Sequence, residues 1–416
     1  MVNNSKQKIA VLVESPRTGA GEAAVKILNN LDIKPIILLA DSQNLPTVIQ
    51  EAYKELDAKI ITCNTSSLQE VIDCCSDLKK NFDLYAVGSV YEYSTLVAAQ
   101  AAKKLGLPGP NPESVAVCRT KSSMRKILNE FSDVNPKNRT VTSTNEAVKA
   151  SDEIHYPVVV KPTSLTGSAF VRLCKNAGEV KEQADLIFGL GSYMHITLEP
   201  SILIEEYIDG PEFSVEIMDS LIIGITKKHL GPPPYFVEIG HDFPADISVD
   251  LADQISKIVI KALKKIGLTW GAAHVEVRAG RNGPRIIEIN PRIAGDRIPE
   301  LIKLAYGADM IEANILALLG KKRPLVKKHN KGAAIRFIPT PNKGKLIDIQ
   351  GLEEVKSLPW VHEVKIYRTL GDNYISNGSN RDRVAHIITS ANSVQEAAQL
   401  AEQATKKIRF DWQETV

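Results

Sequence analysis

Two acid-bearing strands joined by a tight turn constrain this chain more than any other stretch. His274-Val-Glu-Val-Arg278 and Ile286-Ile-Glu-Ile-Asn290-Pro-Arg292 flank the turn signal Gly280-Arg-Asn-Gly283-Pro284, and together they read as a β-hairpin. Side chains alternate faces along a strand, so Glu276 shares a face with His274 and Arg278, and Glu288 shares one with Asn290. A hairpin centred near Asn282 sets Glu276 opposite Glu288 and His274 opposite Asn290. Like charges so placed repel by roughly 0.2–1 kcal/mol even on an exposed sheet. The valines and isoleucines of the other face argue for partial burial, which makes the repulsion worse. Something positive is therefore expected between the two acids. Glu276, Glu288 and the Asn290 carbonyl are hard oxygen donors, which suit Mg2+ on substrate phosphates better than zinc. The plainer alternative is an exposed hairpin with solvated acids.

Composition excludes more than it identifies. A length of 416 residues allows two or three domains. Hydrophobic residues at 44% and charged residues at 24% are those of an ordinary globular protein, and a net charge of +2 gives no electrostatic case for nucleic acid or membrane as a partner. The polar start is followed by an apolar run of only Ile9 to Val13, too short for a signal-peptide core, and no later run approaches a membrane span. Cys63, Cys74, Cys75, Cys118 and Cys174 show no metal-ligand spacing and read as reduced thiols of a cytoplasmic protein.

Along the first hundred residues, strands Lys8–Val13, Lys34–Ala40, Lys59–Thr62 and Leu84–Val87 alternate with helices Gly21–Leu31, Pro46–Glu55, Ser67–Lys79 and Tyr93–Leu105. That order predicts a parallel, doubly wound sheet. Pro108-Gly-Pro110-Asn-Pro112 marks a boundary, and a helix over Lys121–Phe131 follows. Strands are then expected at Val158–Lys161, Ala169–Leu173, Ile202–Glu206, Phe213–Ile217 and Ile222–Thr226, before the hairpin. Lys321-Lys-Arg-Pro324 marks a second linker, and Gly332–Arg409 reads as a small antiparallel α+β unit ending in helix Ser393–Lys407. The fold class is thus α/β and α+β: a Rossmann-like parallel-sheet domain (1–112), a central domain carrying the hairpin (113–320) and a C-terminal α+β domain (321–416).

Two nucleotide signals compete. Gly19-Ala-Gly21-Glu-Ala-Ala24, with Asp41 about twenty residues on, is close to a dinucleotide fingerprint and keeps an NAD-binding oxidoreductase in view. Its defect is Glu14-Ser-Pro-Arg-Thr18, which separates the strand from the first glycine. The second signal is Tyr156-Pro-Val-Val-Val-Lys161-Pro-Thr-Ser164-Leu-Thr166-Gly167-Ser168, an apolar strand ending in Lys and then a small, hydroxyl-rich loop. Such a loop can fold over phosphates with backbone N–H groups while Lys161 sits on their oxygens. A snorkelling lysine beside an ordinary turn is the bland alternative. Ile202-Leu-Ile-Glu205-Glu206-Tyr207-Ile208-Asp-Gly-Pro-Glu212 is an apolar strand that turns acidic; its backbone at Glu206 to Ile208 could read an adenine edge, and Glu212 could take ribose hydroxyls.

In this order, Lys121, Lys161 with its loop, Glu205 to Ile208, Glu212, Glu276, Glu288, Asn290 and Arg292 resemble the ATP-grasp superfamily over roughly residues 1–320. Within it the chain looks most similar to the L-amino acid ligases that form dipeptides (the bacilysin-synthetase type), and more distantly to carbamoyl-phosphate synthetase and biotin carboxylase. The resemblance implies Lys121 and Lys161 on ATP phosphates under the loop Ser164, Thr166, Gly167 and Ser168. It implies Glu205, Glu206, Tyr207 and Ile208 at adenine and Glu212 at ribose. Glu276, Glu288 and Asn290 would hold Mg2+, with Mn2+ an acceptable substitute, and Arg292 would face the reacting carbonyl. Gly231-Pro-Pro-Pro-Tyr-Phe-Val-Glu238-Ile-Gly-His241 resembles the substrate-side motif, in which the Glu receives an amino group and the His lies nearby; each could equally be structural, as could His274. The expected partners are amino-acid substrates and a second copy in a homodimer. The other ATP-grasp reading is a ligase of another carboxylate, purine-pathway or carboxylase-like; a third is a nucleotide-binding module that has lost catalysis. After Arg292 come Gly295 and Asp296, at positions that by resemblance shape the amino-acid pocket. A carboxylate at Asp296 favours a basic acyl donor such as arginine or lysine, unless Asp296 pairs with Arg292 or Arg297.

Overall fold

A computed structural model describes residues 6–14, 20–41, 51, 53–193, 196–321, 324–341, 343–376 and 378–414. Strands β1 (Lys8–Val13), β2 (Lys34–Leu39), β3 (Lys59–Thr62) and β4 (Asp83–Gly88) form a parallel sheet in the order β3-β2-β1-β4. Near-continuous Ile, Leu and Val runs fit strands covered on both faces. Ala10 and Leu12 meet Ala24, Val25 and Leu28 of α1 (Ala20–Asn30). Ile9, Val11 and Val13 meet Val71 and Leu78 of α2 (Leu68–Asn81) and Ala98 and Ala101 of α3 (Thr95–Lys104). Ser67 caps α2 by accepting from the Glu70 N–H. Of the helix expected over Pro46–Glu55, residues 46–50 and 52 lie outside the described residues.

Helices α4 (Pro112–Arg119) and α5 (Lys121–Leu128) lead into an antiparallel sheet of β5 (Asn138–Val141), β6 (Val158–Pro162), β7 (Arg172–Cys174) and a later strand, β10 (Ile202–Glu206), in the order β5-β10-β6-β7. Helices α6 (Thr144–Ile154) and α7 (Ala177–Gly189) cover it. Between α7 and β10 lies the short ribbon β8 (Ser192–Tyr193) and β9 (Ile196–Thr197). Strand β7 starts three residues later than the expected Ala169, because Ser168 and Phe170 both have φ of 57° and cannot continue an extended ladder.

An eight-stranded antiparallel sheet carries the hairpin. It comprises β11 (Glu212–Met218), β12 (Leu221–Leu230), β13 (Glu238–Phe243), β14 (Ala272–Gly280), β15 (Gly283–Asn290) and β16 (Gly332–Pro339), with β18 (Val361–Ile366) and β20 (Arg383–Ala391). The strand order is β15-β14-β11-β12-β13-β16-β20-β18. On one face, Val215, Val275 and Val277 pack against Ile255, Val259 and Leu263 of α8 (Val249–Ile266). That packing turns Glu276 and Arg278 to the other face. Strand β12 runs to Leu230, four residues beyond the expected Thr226, and so carries Lys228 into that face. Helices α9 (Ile298–Tyr306) and α10 (Met310–Leu318) follow the hairpin. Gly240 of β13 pairs with Arg336 of β16, so strands from beyond residue 320 extend the same sheet. The remainder adds β17 (Lys343–Gln350), β19 (Asn373–Ile375) and β21 (Arg409–Gln413) as a small sheet, with helices α11 (Leu352–Lys356) and α12 (Val394–Lys407). Strand β21 follows α12, the helix expected to end this unit.

Candidate active site

The hairpin has the expected register: Glu276 opposes Glu288, and His274 opposes Asn290. Gly283, at φ 90°, makes the turn. The positive charge expected between the acids is supplied by two lysines of the chain itself. Lys121 Nζ, at the start of α5, lies 2.7 Å from Glu288 Oε1 and donates to the Leu165 carbonyl at 2.6 Å. Lys228 Nζ lies 2.7 Å from Glu276 Oε1, 3.1 Å from Glu212 Oε1 and 3.3 Å from Glu238 Oε1. Burial opposes its charge, but Glu238, Glu276 and Glu212 together hold the ammonium well above the usual lysine range. Burial alone would raise the Glu276 carboxyl; Lys228 and His274 outweigh it and hold it well below the usual carboxylate range. His274 Nδ1 is 3.0 Å from both oxygens of buried Glu216 and its Nε2 is 3.4 Å from Glu276. Against the cost of burial, Glu216 and Glu276 raise its pKa to about 10.

At the end of β6, Lys161 Nζ lies 2.6 Å from Glu205 Oε2. Arg125 Nε lies 2.5 Å from Glu205 Oε1, and its terminal nitrogens donate to the carbonyls of Ile286 and Ile287. The Glu205 side chain is therefore a buried counter-ion for two cations, and Glu206 to Ile208 continue the cavity wall beside it. Burial, with Arg125 and Lys121 nearby, pulls the Lys161 pKa down despite Glu205. Tyr93 Oη meets Thr166 Oγ1 at 3.1 Å, tying the hydroxyl loop to the N-terminal sheet. The Arg278 guanidinium lies 4.9 Å from the Tyr207 ring and 5.4 Å from that of Phe236. A Cβ at Gly210 would come within 1.9 Å of the Ala279 carbonyl oxygen, so glycine lets this acidic loop lie on the hairpin.

These groups surround a cavity lined by Lys121, Lys161, Thr166, Gly167, Ser168, Glu205 to Ile208, Glu212, Glu238, Arg278, Glu276 and Glu288. Ser164 and Asn290 do not join the lining; among the described residues Ser164 Oγ is buried without a hydrogen-bond partner, and Asn290 is buried at the end of β15.

A second cavity shares Thr166 with the first and collects Tyr91, Glu92, Tyr93, Arg292, Gly295, Asp296, Arg297, Glu300 and Tyr367. Arg292 Nε donates to Glu92 Oε2 at 2.7 Å, and Arg119 Nη1 to Glu92 Oε1 at 2.6 Å. Asp296 pairs with neither Arg292 nor Arg297. Arg383 Nη1, from β20, lies 2.9 Å from its Oδ2, while Arg297 is taken by Glu300 and Glu363. The free carboxylate on which a basic acyl donor rested is thus already neutralised. Between the cavities, Glu238 Oε2 and Asp296 Oδ2 lie 3.2 and 3.6 Å from His241 Nε2. Asn380 accepts from the Glu238 N–H at 2.9 Å and donates to Glu238 Oε1 at 3.0 Å.

Sequence reasoning missed Lys228, Arg125, Glu92, Asn380 and Arg383. Lys228 had no clear signal, since Lys227-Lys228-His229 interrupts the apolar run that marks the strand. Glu92 and Arg383 had none, because their partners lie 200 and 87 residues away. Of the dinucleotide-like stretch, Gly19 is outside the described residues, and Gly21 and Ala24 are buried in α1.

Residues 154–300 match the ATP-grasp domain, and residues 336–413 match L-amino acid ligase C-terminal domain 2. The chain belongs to the ATP-grasp superfamily of carboxylate–amine ligases and carries the C-terminal domain of L-amino acid ligases. The uncharacterized protein y4rH of Sinorhizobium fredii is 32% identical over 98% of this chain and 83% of its own length. The alanine–anticapsin ligase of Bacillus amyloliquefaciens is 27% identical over 62% of this chain and 59% of its own. The crystal structure of an L-amino acid ligase from Bacillus licheniformis superposes with a TM-score of 0.79 at 22% identity, covering 99% of this chain and all of that one. Among the described residues no helix is long and apolar enough to cross a membrane.

Proposed function

We propose that the chain joins two L-amino acids into a dipeptide, using ATP and Mg2+ and releasing ADP and phosphate. The observation that carries this reading is the pair Glu276 and Glu288, each held by a lysine, in a cavity that meets the Arg292 cavity at Thr166. The oxygen donors Glu276 and Glu288, with Asn290 behind them, fit Mg2+, which when bound would neutralise β- and γ-phosphoryl oxygens. Lys121 and Lys161 would hold the phosphates, and the Thr166 to Ser168 loop would fold over them and exclude water. A substrate carboxylate in the second cavity would attack the γ-phosphate to give an acyl phosphate and ADP. An amine would then attack the acyl carbonyl, lose a proton and expel phosphate. Arg292, kept in place by Glu92, would stabilise the tetrahedral oxyanion, a class of interaction worth roughly 2.7–4 kcal/mol.

The support for amino acids as substrates is the C-terminal domain match and the alanine–anticapsin ligase likeness. Every charged side chain lining the second cavity has an oppositely charged partner: Glu92, Arg292, Asp296, Arg297 and Glu300. With phenols and aliphatic carbon making the rest, that cavity favours an uncharged acyl donor. The reading includes a cytoplasmic homodimer, and the five free thiols support its cytoplasmic part. ADP release across amino-acid pairs, with mass spectrometry of products, tests the reading. A dipeptide from an uncharged acyl donor is expected; ADP release only with a non-amino-acid carboxylate would discard it.

A further inference from the structure

We infer that Arg383 is the residue that receives the free carboxylate of the acceptor amino acid, the one whose amine becomes acylated. The inference rests on the ligase reading above and adds to it a recognition site drawn from the last strands of the chain.

Arg383 is 5% exposed and lies 3.8 Å from the centre of the Phe337 ring, so its guanidinium is fixed in place. Two of its three nitrogens are occupied: Nε donates to the Glu238 carbonyl at 3.0 Å, and Nη1 to Asp296 Oδ2 at 2.9 Å. Nη2 is buried and has no hydrogen-bond acceptor among the described residues. A buried cationic donor left unsatisfied is costly, and a guanidinium edge with free N–H groups matches a carboxylate better than any other common ligand group. The surroundings repeat the point. Among the described residues, both ring nitrogens of fully buried His241 also lack an aligned partner, although the Glu238 and Asp296 carboxylates approach Nε2 within 3.2 and 3.6 Å. Two carboxylates therefore alternate with Arg383, His241 and the shared Lys228 ammonium along one continuous run of contacts between the two cavities. Such an alternation of sign complements a zwitterion, with its ammonium toward Glu238 and its carboxylate toward Arg383. A plain amine would leave Nη2 without a partner. The same geometry makes the C-terminal domain a contributor to the site, because Arg383 and Asn380 both grip the backbone of Glu238.

The test compares an acceptor L-amino acid with its carboxamide, which keeps the α-amine and loses the charge that Arg383 would read. Wild-type protein should use the amino acid at least 10-fold better in kcat/KM. In Arg383→Met, KM for the amino acid should rise roughly 10–100-fold while kcat/KM for the carboxamide stays within about threefold. Arg383→Lys, which retains a cation beside Asp296, should fall between the two. Equal use of both acceptors by wild-type protein, or equal loss of both in Arg383→Met and in Arg383→Lys, would overturn the inference. Wild-type protein that makes no amide with any amine overturns the ligase reading itself, and the inference with it. That failure shows before any variant is made.

Discussion

The two adjoining cavities are built on different plans. The first draws its charged lining from residues 121 to 288, on strands of two sheets and the helix start that faces them. Its acids are met by lysines placed by strand register, as with Glu276 and Lys228 on the same face of one sheet. The second is assembled from the segment after β4, the loop and helix start after the hairpin, and Tyr367 just past β18. Its charges are met across those segments: Arg292 by Glu92, Asp296 by Arg383, Arg297 by Glu363. The phosphoryl chemistry can rest on regular strands and a helix start. Selection of a particular acid and amine can then be altered in the loops that wall the second cavity.

If the first cavity does the phosphoryl chemistry, its acids are where substitution costs most. Glu276→Gln or Glu288→Gln should lower kcat by roughly 10³-fold, the size of a lost metal contribution of several kcal/mol. Neither change should alter the fold, since each replaces a carboxylate by an amide of the same shape. Steady-state ADP release with excess Mg2+, together with a circular dichroism melt, checks both points. Wild-type turnover in either variant would show that the acid pair is structural and would erase the distinction between the cavities.

That contrast also explains what could be read before the structure. The hairpin register, the parallel sheet and the Lys161 loop are local patterns, with period-two alternation and turn residues at fixed offsets, and these survive folding unchanged. The counter-ions do not follow such rules. A carboxylate at a strand end gives no hint whether solvent, a metal or an arginine 80 residues away will neutralise it, as Arg125 does for Glu205. Asp296 illustrates the consequence: reading it as an open negative charge follows from the sequence, and Arg383 removes that charge only once β20 joins the sheet. The end of β12 was lost for a different reason. Lys227-Lys228-His229 breaks the apolar run that signals a strand, yet Lys228 is buried because three acids wait for it.

Lys228 sharpens the comparison as a hub inside a single sheet. Lys228→Met leaves Glu212, Glu238 and Glu276 buried around an apolar side chain, and breaking a buried ion pair in this way costs about 3–5 kcal/mol. Urea unfolding should report that loss of stability. Because the three acids face nucleotide, amine and metal in the proposed reading, KM for ATP and for the amine should rise together. A rise in one KM alone would mean that the ammonium serves a single acid and that the others are neutralised elsewhere.

The smallest effect is expected where two segments are merely pinned together. Glu363 on β18 accepts from Arg297 and lies 3.2 Å from His386 Nε2; burial acts against its charge, but His386 and Arg297 lower its pKa to about 2. A folded-state pKa below the unfolded value of about 4.5 means stability that is full above pH 4.5 and is lost as pH falls through 2. With the carboxylate 27% exposed, solvent screening leaves a contribution of roughly 1–3 kcal/mol. Glu363→Gln should therefore unfold more easily than wild type at pH 6, and the gap should close steadily between pH 4.5 and 2. Turnover at pH 7 should change by less than about threefold, since the pair positions a wall of the cavity and touches no reacting atom. A gap that persists unchanged at pH 2 would mean that packing of the side chain, and not its charge, joins the last strands to the loop after the hairpin.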